Sequence, residues 1–236
     1  MHKQWVIPDI HGCSKTLQAL LENHIRPSKY DWLYFLGDYI DRGPDSKGVI
    51  DIIQKLQREQ YNIRLLRGNH EDFCLQAYEH RTQIRDFIPG RSIISQWKRH
   101  GGKQTMESFG VKKPFEIPEK YIRWMSKLEY FIELDNFLIV HAGFNFEMDD
   151  PFEDEQSMLW IRDFIPDKDK LGGKTVIHGH VPINLEMIYH LKDHPAYQYI
   201  DIDNGIYMVD REGFGNLVAL ELNSRDLAIQ YNLDIS

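Results

Sequence analysis

The sequence predicts an α/β protein, with two packed β-sheets flanked by helices and a mainly helical cap inserted at about residues 81–128. Three observations predict this. Apolar strand-like runs alternate with helical periodicity over the first eighty residues. A helical stretch interrupted by Gly and Pro follows. The C-terminal part is β-rich with turn signals between its segments.

The first run, "WVIPDIHG", ends in Asp, His and Gly, and "SKTLQALLENHI" then places Leu17, Leu20, Leu21 and Ile25 at helical spacing. The pattern recurs in "WLYFLGD", followed by a Gly-Pro-Asp-Ser loop and a helix carrying Val49, Ile52, Ile53 and Leu56 on one face. "YNIRLLRGNH" leads into a third helix. Such alternation implies parallel strands joined by right-handed crossovers, and open α/β sheets gather their sites at the carboxyl ends of the strands. Asp9, Asp38 and Asn69 are therefore expected to converge.

Residues 81–128 carry the interruptions "IPGRS", "HGGKQ" and "KKPFEIPEK", which suits a cap beside the sheet rather than a separate domain. "YFIELDNFLIVHAG" reads as a hairpin turning near Asp135 and Asn136. "KTVIHGHVPI", "EMIYHL", "YQYIDID", "NLVALEL" and "LAIQYNL" are read as β-rich, forming a second sheet packed on the first. At 236 residues, 42% of them hydrophobic, residues 1–236 are expected to form a single domain with one substantial core.

Composition excludes several classes. No apolar run reaches signal-peptide or membrane-span length, and Cys13 and Cys74 stand outside any CxxC spacing, so a cytoplasmic protein in a reducing compartment is expected, with no membrane partner. The net charge of −8 argues against tight nucleic-acid binding, which depends on many Lys and Arg neutralising phosphates. Charge is uneven, however: residues 81–113 hold eight Lys or Arg against two acids, and "NFEMDDPFEDE" at 145–155 holds six acids and no base. A monomer is the default expectation.

Five apolar runs end in polar clusters: Asp9 and His11; Asp38 and Asp41; Asn69 and His70; His141; His178 and His180. Taken singly, each is an ordinary turn residue, helix cap or hydrogen-bonded histidine. Gathered at one sheet edge they would repel one another or remain unsatisfied unless a cation lay between them. An oxygen and imidazole donor set without sulfur suits Mn, Fe, Zn or Mg. Asp9 and His11, two apart, would point to one face of an extended segment and grip one ion.

The ordered motifs "DIHG", "GDYIDRG", "LLRGNHE", "HAG" and "GHVP" resemble those of the calcineurin-like metallophosphoesterase superfamily, in its phosphoprotein phosphatase branch. "GGKQTMESFG" and "LWIR" resemble segments of its small bacterial and phage-type members, and Pro182 stands where many superfamily members carry a second His. The resemblance implies an α-β-β-α sandwich of mixed sheets and two divalent metal ions, Mn expected and Fe, Zn or Mg as alternatives. It places Asp9 and His11 on one ion, Asn69, His141 and His180 on the other, and Asp38 across both. It further implies His70 as general acid oriented by Asp41, Arg42 and Arg162 as phosphate ligands, and a shared, metal-activated water attacking phosphorus in line. His178 is read as a wall beside these ligands, and Arg67 as structural.

The implied activity is hydrolysis of phosphoserine and phosphothreonine in a protein or peptide. Dinucleoside tetraphosphate is the alternative substrate, because some small relatives with these motifs cleave it and because the C-terminal "SAPNYC"-like segment of the eukaryotic enzymes is missing. A non-catalytic metal-binding scaffold is the third reading, opposed by the presence of His70, Asp41 and Arg42 together.

Overall fold

The computed structural model describes residues 2–80, 92–194 and 196–235. Arg81, Arg85 and Arg91 of the basic stretch lie outside the described residues.

Strands β1 (Gln4–Ile7), β2 (Trp32–Phe35) and β3 (Asn62–Leu65) run parallel, with Ile7 paired to Phe35 and Phe35 to Leu65, so their carboxyl ends are level. They are connected by α1 (Ser14–Ala19, continuing as a wider π-helical stretch to Ile25) and α2 (Ser46–Arg58), and α3 (Asn69–Glu79) follows β3. Asp45 caps α2 by accepting the N–H of Gly48, which fixes where the loop after β2 turns into helix. The cap contributes the short helices α4 (Ile93–Trp97), α5 (Lys103–Ser108) and α6 (Glu119–Met125).

A hairpin of β4 (Phe131–Glu133) and β5 (Phe137–Val140) opens the second sheet, and β6 (Thr175–His178) and β7 (Tyr199–Asp201) extend it in parallel with β5. Helix α7 (Glu155–Trp160) lies between β5 and β6 in the chain, and α8 (Leu185–Asp193) between β6 and β7. The last two strands, β8 (Asn216–Glu221) and β9 (Leu227–Tyr231), form an antiparallel pair.

Two readings from sequence are corrected here. "EMIYHL" is helix, not strand: Asn184 caps α8 by accepting the Met187 N–H, and the buried residues Ile188 and Leu191 lie three apart, a helical period. "NLVALEL" and "LAIQYNL" belong to the first sheet, where β8 pairs antiparallel with β1 in the order β3-β2-β1-β8-β9. All six residues of β8 are buried, as a strand covered on both faces requires.

The two sheets pack face to face, and alternation along the strands decides which side chains meet. Val6, Tyr34, Val218 and Leu220 from the first sheet share a cluster with Ile132, Ile139, Ile177 and Ile200 from the second. Their neighbours Ile7, Leu33, Phe35, Leu217 and Ala219 point the other way, onto Leu17 and Leu20 of the first helix and Val49 and Ile53 of α2. Truncating Ile139, fully buried between the sheets, to Ala would cost ~2–5 kcal/mol. This packing brings the carboxyl ends of β1, β2, β3, β5, β6 and β7 to one edge of the sandwich.

Candidate metal centre

The loops leaving that edge carry the polar side chains. Asp9, His11, Asp38, Asp41, Asn69, His70 and His141 are all buried, each at most 5% exposed, and His180 is half-buried. The turns that aim them are tight. His11, Asp38, Asp41, Arg42 and His180 all have left-handed backbone, with φ between 45° and 73°. Such a concentration of strained non-glycine residues belongs to a site over-determined by its surroundings. His11 therefore joins Asp9 through a turn and not along an extended segment, and its Nε2 lies 3.9 Å from Asp9 Oδ2.

Asp38 lies at the centre. His11 Nε2 is 3.7 Å from its Oδ2, His70 Nε2 is 3.8 Å from the same atom, and His141 Nε2 is 3.6 Å from its Oδ1. Two groups of potential ligand atoms share this carboxylate: His11, Asp38 and His70 on one side, and Asp38, His141 and His180 on the other, each within 4.8 Å of one another. Burial by itself would raise Asp38, yet the imidazoles of His141, His70, His11 and His180 hold it well below the usual carboxylate range. Burial pushes Asp9 well above that range, and the carboxylates of Asp203 and Asp38 push it the same way.

The donor set fits cations. His11 places Nδ1 3.0 Å from the Ile40 carbonyl, and His141 places Nδ1 3.1 Å from the Leu36 carbonyl. Donating Nδ1–H there leaves each Nε2 as a lone pair, and both lone pairs face other acceptors: Asp9 and Asp38 for His11, Asp38 and Asn69 Oδ1 for His141, the last at 3.0 Å. His180 Nδ1 is 3.1 Å from the same Asn69 oxygen. Acceptors crowded against acceptors are the arrangement that a divalent ion resolves.

His70 differs from the other imidazoles. Its Nδ1 lies 2.7 Å from Asp41 Oδ2, and Arg42 Nη2 approaches its Nε2 at 3.3 Å. Burial lowers its affinity for a proton, but the carboxylates of Asp38 and Asp41 raise the pKa above the ordinary histidine value overall. Arg42 lies with its guanidinium carbon 3.9 Å from the centre of the Tyr207 ring. Arg162 is exposed just beyond α7, near enough that its charge helps to depress His180.

His178 is buried with Nδ1 3.2 Å from the Gly179 carbonyl, and Arg67 donates to Tyr130 Oη and to the Ser126 carbonyl, away from the cluster. Cys13 and Cys74 are buried and free. Lys98, Arg99 and Lys103 of the cap are exposed.

Sequence reading missed six contributors. Glu71 accepts the backbone N–H groups of Asp38, Tyr39 and Gly68 at 2.8–3.0 Å, tying the loop after β2 to the start of α3. Trp97 Nε1–H donates to Asp41 Oδ2 at 2.8 Å, and the Thr105 hydroxyl donates to Asp41 Oδ1. Both come from the cap. Between them, Gly101 has φ +110°, and a Cβ there would lie 2.4 Å from Arg42 N, so Gly101 lets the cap backbone touch the Asp41-Arg42 turn, while Gly102 makes room for the Trp97 ring. A Gly pair inside a helical stretch, flanked by Trp and Thr, was the available signal. Asp203 and Tyr207 follow β7, and "YIDID" carries the same acid-at-strand-end signal as Asp9.

A family model described as calcineurin-like phosphoesterase matches residues 2–210. Serine/threonine-protein phosphatase 1 of Salmonella typhimurium is 28% identical over 206 residues, 84% of this chain and 84% of that one. The symmetrical bis(5'-nucleosyl)-tetraphosphatase of Wigglesworthia glossinidia brevipalpis is 38% identical over 103 residues, 40% of this chain and 37% of that protein's length. A protein serine/threonine phosphatase structure from Saccharomyces cerevisiae superposes with a TM-score of 0.64 at 14% identity, covering 100% of this chain and 81% of that one, a likeness of fold alone.

Proposed function

The chain belongs to the calcineurin-like phosphoesterase family, a family of phosphoric ester hydrolases, and we propose that it is a cytoplasmic, metal-dependent phosphatase acting on phosphoserine and phosphothreonine in proteins. The observation that carries this reading is the His70–Asp41 pair, held beside Arg42 where two groups of potential ligand atoms, one of them including His70, share Asp38. A metal-binding scaffold has no use for such a pair.

Asp9, His11 and Asp38 would hold one divalent ion, and Asp38, Asn69, His141 and His180 a second, with Mn²⁺ as the proposed pair. When bound, the ions supply Lewis-acid polarisation of the phosphate and activation of water. The chain's own residues do the rest. Arg42 and Arg162 bind and orient phosphate oxygens, for which a planar, multiply donating guanidinium is suited. His70 delivers a proton from Nε2 to the departing serine or threonine oxygen, while Asp41 fixes the ring and supports its cationic form, a contribution of roughly 100-fold to 10,000-fold.

A second reading, dinucleoside tetraphosphate hydrolysis, is favoured by several tetraphosphatase relatives, which this chain matches at 26–39% identity over 26–65% of their length, whereas the serine/threonine phosphatase match spans 84% of both chains. The deciding experiment compares kcat/KM of the Mn-reconstituted protein on a phosphothreonine peptide and on diadenosine tetraphosphate, with a metal-stripped control. Preference for the peptide supports the proposal. Preference for the dinucleotide replaces it with nucleotide polyphosphate hydrolysis.

A further inference from the structure

A cleft of about 790 Å³ opens between two segments that adjoin proposed site residues in the chain. One wall is the segment 144–147, which begins three residues after His141; the other is 161–167, which straddles Arg162. The segments meet at their base, where a Cβ on Gly143 would lie 2.4 Å from the Phe164 ring. The walls thus adjoin His141 and Arg162 along the chain, which ties the cleft to the proposed phosphate site.

Its lining combines two chemistries. Phe144, Phe146 and Phe164 form an aromatic floor, with ring centres 6.1 and 6.0 Å apart in succession, and Ile165 stands on the rim 86% exposed. Together with the aromatic floor, this isoleucine offers an apolar face on which an apolar side chain of a bound peptide could rest. Glu147, Asp163 and Asp167 supply three carboxylates, and no Lys or Arg lines the cleft. Of the cations next to it in the chain, Lys170 is occupied from behind by the carbonyls of Phe146 and Met148, Arg162 is the proposed phosphate ligand, and Lys168 is exposed beside Asp167. Beyond Arg162 a polyphosphate chain would meet three carboxylates here, whereas a cationic side chain would be drawn in. The volume falls in the range of specific binding pockets, and a residue of extended peptide needs only about 3.3–3.6 Å of length.

We propose that this cleft receives the polypeptide flanking the phosphorylated residue and selects segments that carry Lys or Arg next to an apolar side chain. The inference rests on the protein phosphatase reading and names the substrate sequences that reading leaves open.

The test measures kcat/KM of the Mn-loaded protein on three phosphothreonine peptides that differ only in flanking residues: basic with one Leu, neutral with one Leu, and acidic with one Leu. Diadenosine tetraphosphate is run in parallel. Ratios between peptides cancel differences in active fraction. The basic peptide should exceed the acidic one by about tenfold at low salt, from three solvent-screened charge contacts, and the ratio should shrink as added salt screens them. In the Glu147→Gln, Asp163→Asn, Asp167→Asn variant the ratio should fall towards one. Replacing Leu by Ser in the basic peptide should lower kcat/KM in the wild type and much less in Ile165→Ser. The salt series needs no substitution and decides the case even if a variant fails to fold. Equal rates on basic and acidic peptides, or a preference that survives both salt and the triple variant, would overturn the cleft assignment while leaving the phosphatase reading intact. Cleavage of diadenosine tetraphosphate with no turnover of any peptide would overturn both.

Discussion

Replacing Trp97 by Phe tests whether the cap takes part in catalysis. The Asp41 carboxylate is fully buried and takes three side-chain donors, from His70 at 2.7 Å, from Trp97 at 2.8 Å and from Thr105. Phe keeps an aromatic ring in the cap and removes the indole N–H. A hydrogen bond to a charged group contributes about 1.5–3 kcal/mol net. At about 1.4 kcal/mol per factor of ten, its loss corresponds to roughly 10-fold to 150-fold if the transition state feels all of it. With one donor gone, Asp41 holds its negative charge less well and supports a cationic His70 less well. The substitution should therefore slow only reactions whose leaving oxygen needs a proton. We expect kcat on a phosphothreonine peptide to fall ~10-fold to 100-fold, while p-nitrophenyl phosphate, whose phenolate departs unaided, changes by less than ~3-fold, and bound metal stays constant. His70→Asn should show the same split with a loss of at least ~100-fold on the peptide. Equal losses on both substrates would mean that Trp97 merely shapes the site, and an unchanged peptide rate would refute the hydrogen-bond argument. If His70→Asn itself shows no split, the general-acid assignment fails first.

Other expectations test separate parts of the molecule. Asp38→Asn should lower metal content, measured by elemental analysis, together with activity; two tightly retained ions would refute the shared carboxylate. Gly37→Ala should lower the Tm by about 5 °C or more, because φ is +105° and the new Cβ would lie 2.3 Å from the Gly68 nitrogen, forcing the ends of β2 and β3 apart; an unchanged Tm would show that this backbone opens freely. Burial pushes His178 down to about 4, so the unfolded chain binds its proton first and the group's contribution, complete above about pH 6.5, is lost as pH falls towards 4. His178→Gln should accordingly lose about 2 kcal/mol less stability than wild type between pH 7 and pH 5 in urea titrations, and parallel losses in the two proteins would contradict the assignment.

What could be read from the sequence was local. Asp9, Asp38 and Asn69 lie within four residues of the strands that present them, so a strand pattern and a polar cluster suffice to bring them to one edge. The alternation of Val6 and Tyr34 against Ile7 and Phe35 likewise follows from period two alone. What could not be read depends on partners distant in the chain. The place of β8 beside β1 rests on pairing Val6 with Leu220, and no feature of either segment prefers that neighbour to the second sheet.

The support of Asp41 is the sharper case. Trp97 and Thr105 stand 56 and 64 residues away, in a cap whose sequence advertises only its exposed cations. A charge pattern describes the face that meets water, whereas a buried donor is visible only once its acceptor is in place. The consequence concerns how substitutions in such a protein are judged. A change of Lys98 or Lys103 alters an exposed charge, worth at most about 1 kcal/mol in a surface ion pair. A change of Trp97, uncharged and remote in sequence, removes one of three donors from the carboxylate that orients His70. The cap's hydrogen-bonded connection to the chemistry therefore runs through two buried, neutral donors.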